Sequence, residues 1–198
     1  MLRIQISPWK KLIGAAAVLA CSLAVGYGAA PRGWILAGTA PAEYETGVDT
    51  DHAYQGHPSA FLKSKQARTT GFGTLMQQIS AGQYEGKRVR LSGVVKAEEV
   101  TGWAGLWMRV DKEKEVLAFD NMQDRSITGT GDWQRYNVVL DVPRDATGVA
   151  LGILLTGAGE VWLSGTKFEV VGLDVPSTNM TGKDGHAPSE PVNLDFTE

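Results

Sequence analysis

Arg88-Val89-Arg90-Leu91-Ser92-Gly93-Val94-Val95-Lys96-Ala97-Glu98 decides the fold class. Successive side chains of a β-strand point to opposite faces. Val89, Leu91, Gly93, Val95 and Ala97 therefore share one face, and Arg88, Arg90, Ser92, Val94, Lys96 and Glu98 the other. Ala104 to Val110 repeats the pattern, with Ala104, Leu106, Met108 and Val110 inward and Trp103, Gly105, Trp107 and Arg109 outward. Tyr136, Val138, Leu140 and Val142 make a third inward row, ended by Pro143. After the turn Asp145-Ala146-Thr147-Gly148 come Val149, Leu151, Ile153 and Leu155. Gly157-Ala158-Gly159 turns into Glu160 to Ser164, and Gly165 leads into Thr166 to Val171. Upstream, Trp34 to Ala37, Glu43 to Thr50, Ser59 to Lys63 and Thr74 to Ser80 read as further strands. No segment between Gly33 and Asp174 sustains a helical stripe. The spacing predicts an all-β domain of eight to ten strands in a two-sheet antiparallel sandwich of jelly-roll type, with a closed barrel as the alternative.

The flanks differ from this body. Arg3, Lys10 and Lys11 precede an uncharged run of 20 residues from Leu12 to Pro31, the pattern of an export signal that is either cleaved or kept as an N-terminal hydrophobic helix anchoring the chain in the membrane. Val18-Leu19-Ala20-Cys21 also resembles a lipobox, although the apolar run continues past Cys21. Residues 1–32 are thus read as signal peptide or anchor, 33–175 as the sandwich and 176–198 as a flexible tail, which places the body outside the cytoplasm. Val192, Leu194 and Phe196 would share one face if the tail added an edge strand.

The formal net charge is −3, and without the three leader cations the remainder carries −6, which argues against a nucleic-acid partner. A single cysteine allows neither an internal disulfide nor a Cys-x-x-Cys zinc or redox site. Catalytic patterns are missing too. His52, His57 and His186 are scattered, no Gly-x-Ser-x-Gly or His-Glu-x-x-His is present, and the neighbours Glu98 and Glu99 point to opposite faces of a strand. Asp111, Glu113 and Glu115 alternate with Lys112 and Lys114 in a solvated hairpin loop, and Gly71 to Gly73 is too short to cradle phosphate. The chain is read as a non-enzyme without catalytic residues or resident cofactor.

Two groups of residues suit binding. Trp103, Trp107 and Arg109 stand opposite the apolar row, and two indoles with a guanidinium match the C–H faces and hydroxyls of a saccharide. The competing reading buries both indoles under a loop or the second sheet. Asp120, Asn121, Gln123, Asp124 and Arg125 follow the apolar Val116 to Phe119 and would either line a cleft or satisfy one another within a loop. Gln77 and Lys96 are added because neighbouring strands could carry them to the same face.

The order Gly33-Trp34, Gly47-Val48-Asp49, His57-Pro58-Ser59-Ala60, Gln77-Gln78-Ile79, Gly86-Lys87-Arg88-Val89-Arg90-Leu91-Ser92-Gly93, Asp132-Trp133-Gln134-Arg135-Tyr136, Val142-Pro143-Arg144-Asp145-Ala146 and Gly159-Glu160-Val161-Trp162-Leu163 resembles the galactose-binding-like jelly roll of carbohydrate-binding modules. Thr101 to Asp111 with Leu117 to Arg125 is similar to an uncharacterised bacterial subfamily of that fold, some of whose members are labelled AraC-type transcriptional regulators; no helix-turn-helix segment accompanies it here. The resemblance implies a binding module over residues 33–175. Such modules often hold a structural calcium through a closing Asp-Asp, where this chain has Ser164-Gly165-Thr166. The functional expectation is an exported, non-catalytic module for a saccharide at the cell envelope, with Trp103, Trp107, Arg109, Asp120, Asn121, Asp124, Arg125 and Gln77 as ligand residues and no metal site. The alternative is a structural or protein-interaction domain docking an envelope protein.

Overall fold

The computed structural model describes residues 29–181. The leader and the end of the tail lie outside the described residues, and with them the N-terminal helix and the lipobox. Nine strands follow in order: β1 (Ile35–Gly38), β2 (Tyr44–Tyr54), β3 (His57–Ser64), β4 (Phe72–Ser80), β5 (Lys87–Lys112), β6 (Glu115–Asp120), β7 (Ile127–Val142), β8 (Gly148–Thr156) and β9 (Glu160–Val171). Three three-residue 3-10 turns are the only helical elements among the described residues. None of the described helices is long and apolar enough to cross a membrane.

All pairings between these strands are antiparallel, and they make one curled sheet rather than two separate ones. The reason is β5. The sequence divides it at Glu98, but the strand continues for 26 residues and changes partners on the way. Its first half, Lys87 to Glu98, lies between β7 and β9, and its second half, Trp103 to Lys112, lies beside β8, with β6 pairing along Met108 to Lys112. One arm of the sheet is thus β1-β4-β8-β5-β6 and the other β7-β5-β9-β3-β2, joined through β5.

The arms close over one core. Leu106, Met108, Val110, Leu75, Ile153 and Leu155 from the first arm meet Val89, Leu91, Val138, Leu140, Val161 and Leu163 from the second. These are the inward rows read from the sequence. Each fully buried Leu, Ile or Val side chain contributes about 1.5–3 kcal/mol relative to exposure, so the alternation supplies the main force for closure.

The two segments expected at Glu160 to Ser164 and Thr166 to Val171 are one strand, β9. Between Ser92↔Lys167 and Val94↔Ser164 strand β9 carries one extra residue, and Gly165 sits there at φ +57°. A glycine in the left-handed region takes up that residue as a bulge without ending the strand.

Beyond β9 the chain returns along the open edge between the arms. Thr178 N–H donates to Val139 O (2.8 Å), and its hydroxyl accepts from Val139 N–H (2.8 Å). Met180 N–H donates to Phe119 O (2.7 Å), and Asn179 Oδ1 accepts from Phe119 N–H (3.0 Å). The first residues of the expected tail therefore tie the free edges of β7 and β6.

Candidate functional site

Cross-strand register defines the outer face of the first arm. Trp103, Gly105, Trp107 and Arg109 on β5 align with Thr156, Leu154, Gly152 and Ala150 on β8. Those align in turn with Phe72, Thr74, Met76 and Gln78 on β4. Phe119 of β6 pairs with Arg109, and Ala37 of β1 pairs with Thr74. The result is a second apolar cluster, separate from the core: Ala37, Met76, Trp107, Ala150 and Leu154 are buried, with Phe72, Trp103 and Phe119 half-buried around them.

Within it the two indoles differ. Trp107 is only 8% exposed, and its Nε1–H donates to Thr74 Oγ1 (2.7 Å), whose own hydroxyl donates to Ile153 O (2.8 Å). Gly152 lets the β4 backbone approach closely, since a Cβ there would fall 2.2 Å from Leu75 O. Trp107 is consequently the buried floor of the face and not an open stacking platform. Trp103 remains half-buried, with its ring part of the surface. Arg109 stands at the edge, its Nε–H donating to Asp111 Oδ2 (3.0 Å), and its terminal amines make no hydrogen bond among the described residues.

The loop after β6 is built differently from a ligand cleft. Asp120 is fully buried, and its side chain stands on the opposite row from Phe119. It accepts from both terminal amines of Arg125 (2.5 and 3.2 Å) and from Met122 N–H (2.8 Å). Asn121 Oδ1 accepts from Gln123 N–H, Asp124 pairs with Arg125 (2.9 Å), and Arg125 also reaches Asn137 O. Asp120, Asp124 and Arg125 therefore satisfy one another, and Asn121 closes the same loop through the Gln123 backbone, as short polar loops with Asp and Asn do. The loop touches the aromatic face through its backbone: a Cβ on Gly105 would lie 2.9 Å from Asn121 O.

Gln77 is not on this face. It aligns with Leu151 and, through it, with Met108, so it belongs to the core-side row, and Gln78 is the neighbour that aligns with Arg109. Lys96 is far in register as well, paired with Trp162 on the second arm. Phe72 and Phe119, which the sequence reading left out, are the aromatic partners that register adds. Phe72 was legible only through its pairing with Thr156, and Phe119 only once its parity with Arg109 is known.

On the outer face of the second arm, Trp162 is 2% exposed. Its ring is stacked by His52 (centroids 4.3 Å apart), and Tyr54 at the end of β2 leans on Trp133 of β7 (5.4 Å).

The residues of the closing strand do not fit the calcium that the resemblance implies. Ser164 donates its hydroxyl to Pro58 O, Gly165 and Thr166 bring no carboxylate, and no three His, Cys, Asp or Glu side chains converge among the described residues.

No family model matches the chain. It is 46% identical over 169 residues to Uncharacterized HTH-type transcriptional regulator YbfP of Bacillus subtilis (strain 168), a match that takes in 84% of this chain. This chain spans 57% of that relative's length. Among solved structures it is similar to the CBM22-1 xylan-binding domain from Paenibacillus barcinonensis (TM-score 0.50, 16% identity, 73% of this chain and 89% of that one). A cyclase from Fischerella sp. superposes comparably (TM-score 0.53, 15% identity, 73% and 86%), as does a C-terminal family 22 carbohydrate binding module of Clostridium thermocellum (TM-score 0.50, 17%, 71% and 87%). At these identities the likeness is one of fold, and enzymes as well as binding modules share it. Residues 29–181 have the jelly-roll fold of carbohydrate-binding modules.

Proposed function

We propose that the chain is a non-catalytic saccharide-binding module whose site is the outer face of the first arm. The observation that carries this reading is the group of half-buried rings, Phe72, Trp103 and Phe119, set around the buried Trp107 with Arg109 at its rim. Sugars offer C–H faces to aromatic rings and hydroxyls to fixed planar donors, and Trp103 with the terminal amines of Arg109 supplies one of each. Modules of this fold that are named for xylan binding lend support. The leader-like segment before Pro31 favours a place on the outer side of the cytoplasmic membrane, secreted or anchored.

Affinity electrophoresis of the whole chain in gels containing xylan, β-glucan or galactan tests the site. Retardation by one polysaccharide that is lost in Trp103→Ala is the expected result. Unretarded migration in all three gels would shift the assignment to a protein-docking domain.

A second reading is favoured by the 46% identity to a protein named as a transcriptional regulator. In it the same module senses a saccharide and passes the signal to transcription, without itself touching nucleic acid. Transcript profiles of a strain carrying Trp103→Ala, with and without the polysaccharide, separate this from simple adhesion.

A further inference from the structure

The inner row of β7 is interrupted. Val138 and Leu140 face Leu91 and Val89 and are fully buried, and at the other end Ile127 faces Ala104 and is buried too. Between them the residues opposite Gly93, Val95, Ala97 and Val100 are Tyr136, Gln134, Gly131 and Gly129. Two of these four positions have no side chain, and a Cβ built on either glycine would meet nothing within 4 Å.

The strands also part here. β7 carries one residue more than β5 between Gly131 and Gln134, β5 one more between Ala97 and Val100, and β5 two more between Val100 and Ala104. Successive bulges bend and twist the pair and re-aim side chains, a device common beside binding sites. They leave an open pocket of about 250 Å³ whose lining includes Thr128, Asp132, Gln134 and Tyr136, with Val95 and Ala97 beneath it and each only 2% exposed. A row that is buried at both ends but exposed at Gly129 and Gln134 and half-buried at Gly131 and Tyr136 in its middle gives up burial that apolar side chains would have supplied, and such local departures from the pattern mark functional positions.

The chemistry of the walls selects the occupant. No lysine, arginine or histidine lines the pocket, and Asp132 is its one carboxylate. The half-buried Tyr136 ring suits the C–H face of a ring, and the Gln134 amide, the Asp132 carboxylate and the Thr128 hydroxyl suit hydroxyl groups. We propose that this pocket holds one neutral polyhydroxylated ring, a single pyranose unit. The site lies on the β5–β7 side of the second arm, so it stands whether or not the Trp103 face binds a polysaccharide.

The test is a titration of the ¹⁵N-labelled full chain with methyl β-D-glucopyranoside, methyl β-D-galactopyranoside and methyl β-D-xylopyranoside, followed by amide shifts. Saturable shifts confined to residues 126–136 and 95–97 with at least one glycoside are expected, and Trp103→Ala should leave them in place. Gly131 has no left-handed φ and open space at its Cβ, so Gly131→Leu fills the pocket without backbone strain. It should weaken binding at least tenfold while Tm stays level or rises. Gln134→Ala, which touches no packed core, should also weaken binding and serves if Gly131→Leu does not fold. Absence of shifts at residues 126–136 with all three glycosides, or binding unchanged by both variants, overturns the proposal.

Discussion

Trp162 donates its Nε1–H to the Asp49 carboxylate at 2.8 Å, while the His52 ring stacked on that indole donates Nδ1–H to the same carboxylate at 2.8 Å. Asp49 also accepts the backbone N–H groups of Asp51 and His52. These donors, the His52 backbone N–H foremost, hold its carboxyl well below the usual carboxylate range. A carboxylate with a depressed folded pKa adds stability that is present above its unfolded pKa of about 4 and is lost as pH falls below it. Asp49→Ala should therefore cost about 1–3 kcal/mol at pH 7, because it strands the buried indole N–H. Thermal melts of both proteins from pH 7 to pH 2.5 should show that gap narrowing below pH 4; a gap of constant size across the range would contradict the role given to the ionised carboxylate.

The Asp120–Arg125 pair should be critical to folding and silent in binding. Asp120 is fully buried, and removing the cation opposite a buried carboxylate costs about 3–5 kcal/mol. Urea unfolding of Arg125→Ala should show a loss of that order, whereas Asp124→Ala, on the exposed side of the same guanidinium, should change stability by less than about 1 kcal/mol. Equal effects from the two would mean that the loop is not organised around Asp120.

The two indoles of the outer face should separate stability from recognition. Trp107→Ala empties a buried site and is expected to cost about 3–5 kcal/mol. Thr74→Val keeps the volume but leaves the Trp107 N–H without its acceptor, at about 1–3 kcal/mol. Trp103→Ala should cost less than Trp107→Ala in urea unfolding and yet remove polysaccharide retardation. A Trp103 variant that melts as early as the Trp107 variant would identify both as packing residues.

Residues Ser177 to Met180 should behave as part of the domain. A chain ending after Val175 loses the hydrogen bonds to Val139 and Phe119, so these two amides should exchange with deuterium faster by tenfold or more while Leu91 is protected as before. Unchanged exchange at Val139 would return the domain boundary to Val175.

Much of this fold is written in period-two rows. Val89 to Ala97, Ala104 to Val110 and Val149 to Leu155 land on the core side because a strand has no other way to bury alternate apolar residues. Three things were not legible. Continuity of β5 and β9 through Glu99 and Gly165 depends on bulges, which look like strand ends in a sequence. Register is invisible locally, and a shift of one residue exchanges faces: the row of Arg109 and Ala150 therefore continues to Gln78 and not to Gln77. Whether an outward indole is covered also depends on neighbours from other strands, and for Trp107 these are Met76, Ala150 and Leu154. The Asp120 to Arg125 loop was readable in its self-satisfied form because Asp and Asn close such turns locally.

The long strand β5 orders events during synthesis. Its partners β6, β7, β8 and β9 all follow it in the chain, and the last of them ends at Val171. Until the chain beyond Lys112 has been made, β5 has both edges unpaired, and only the β2–β3 and β1–β4 ladders can form. Neither arm can be completed until β8 and β9 have been made, so the structure rests on contacts distant in sequence and is acquired late.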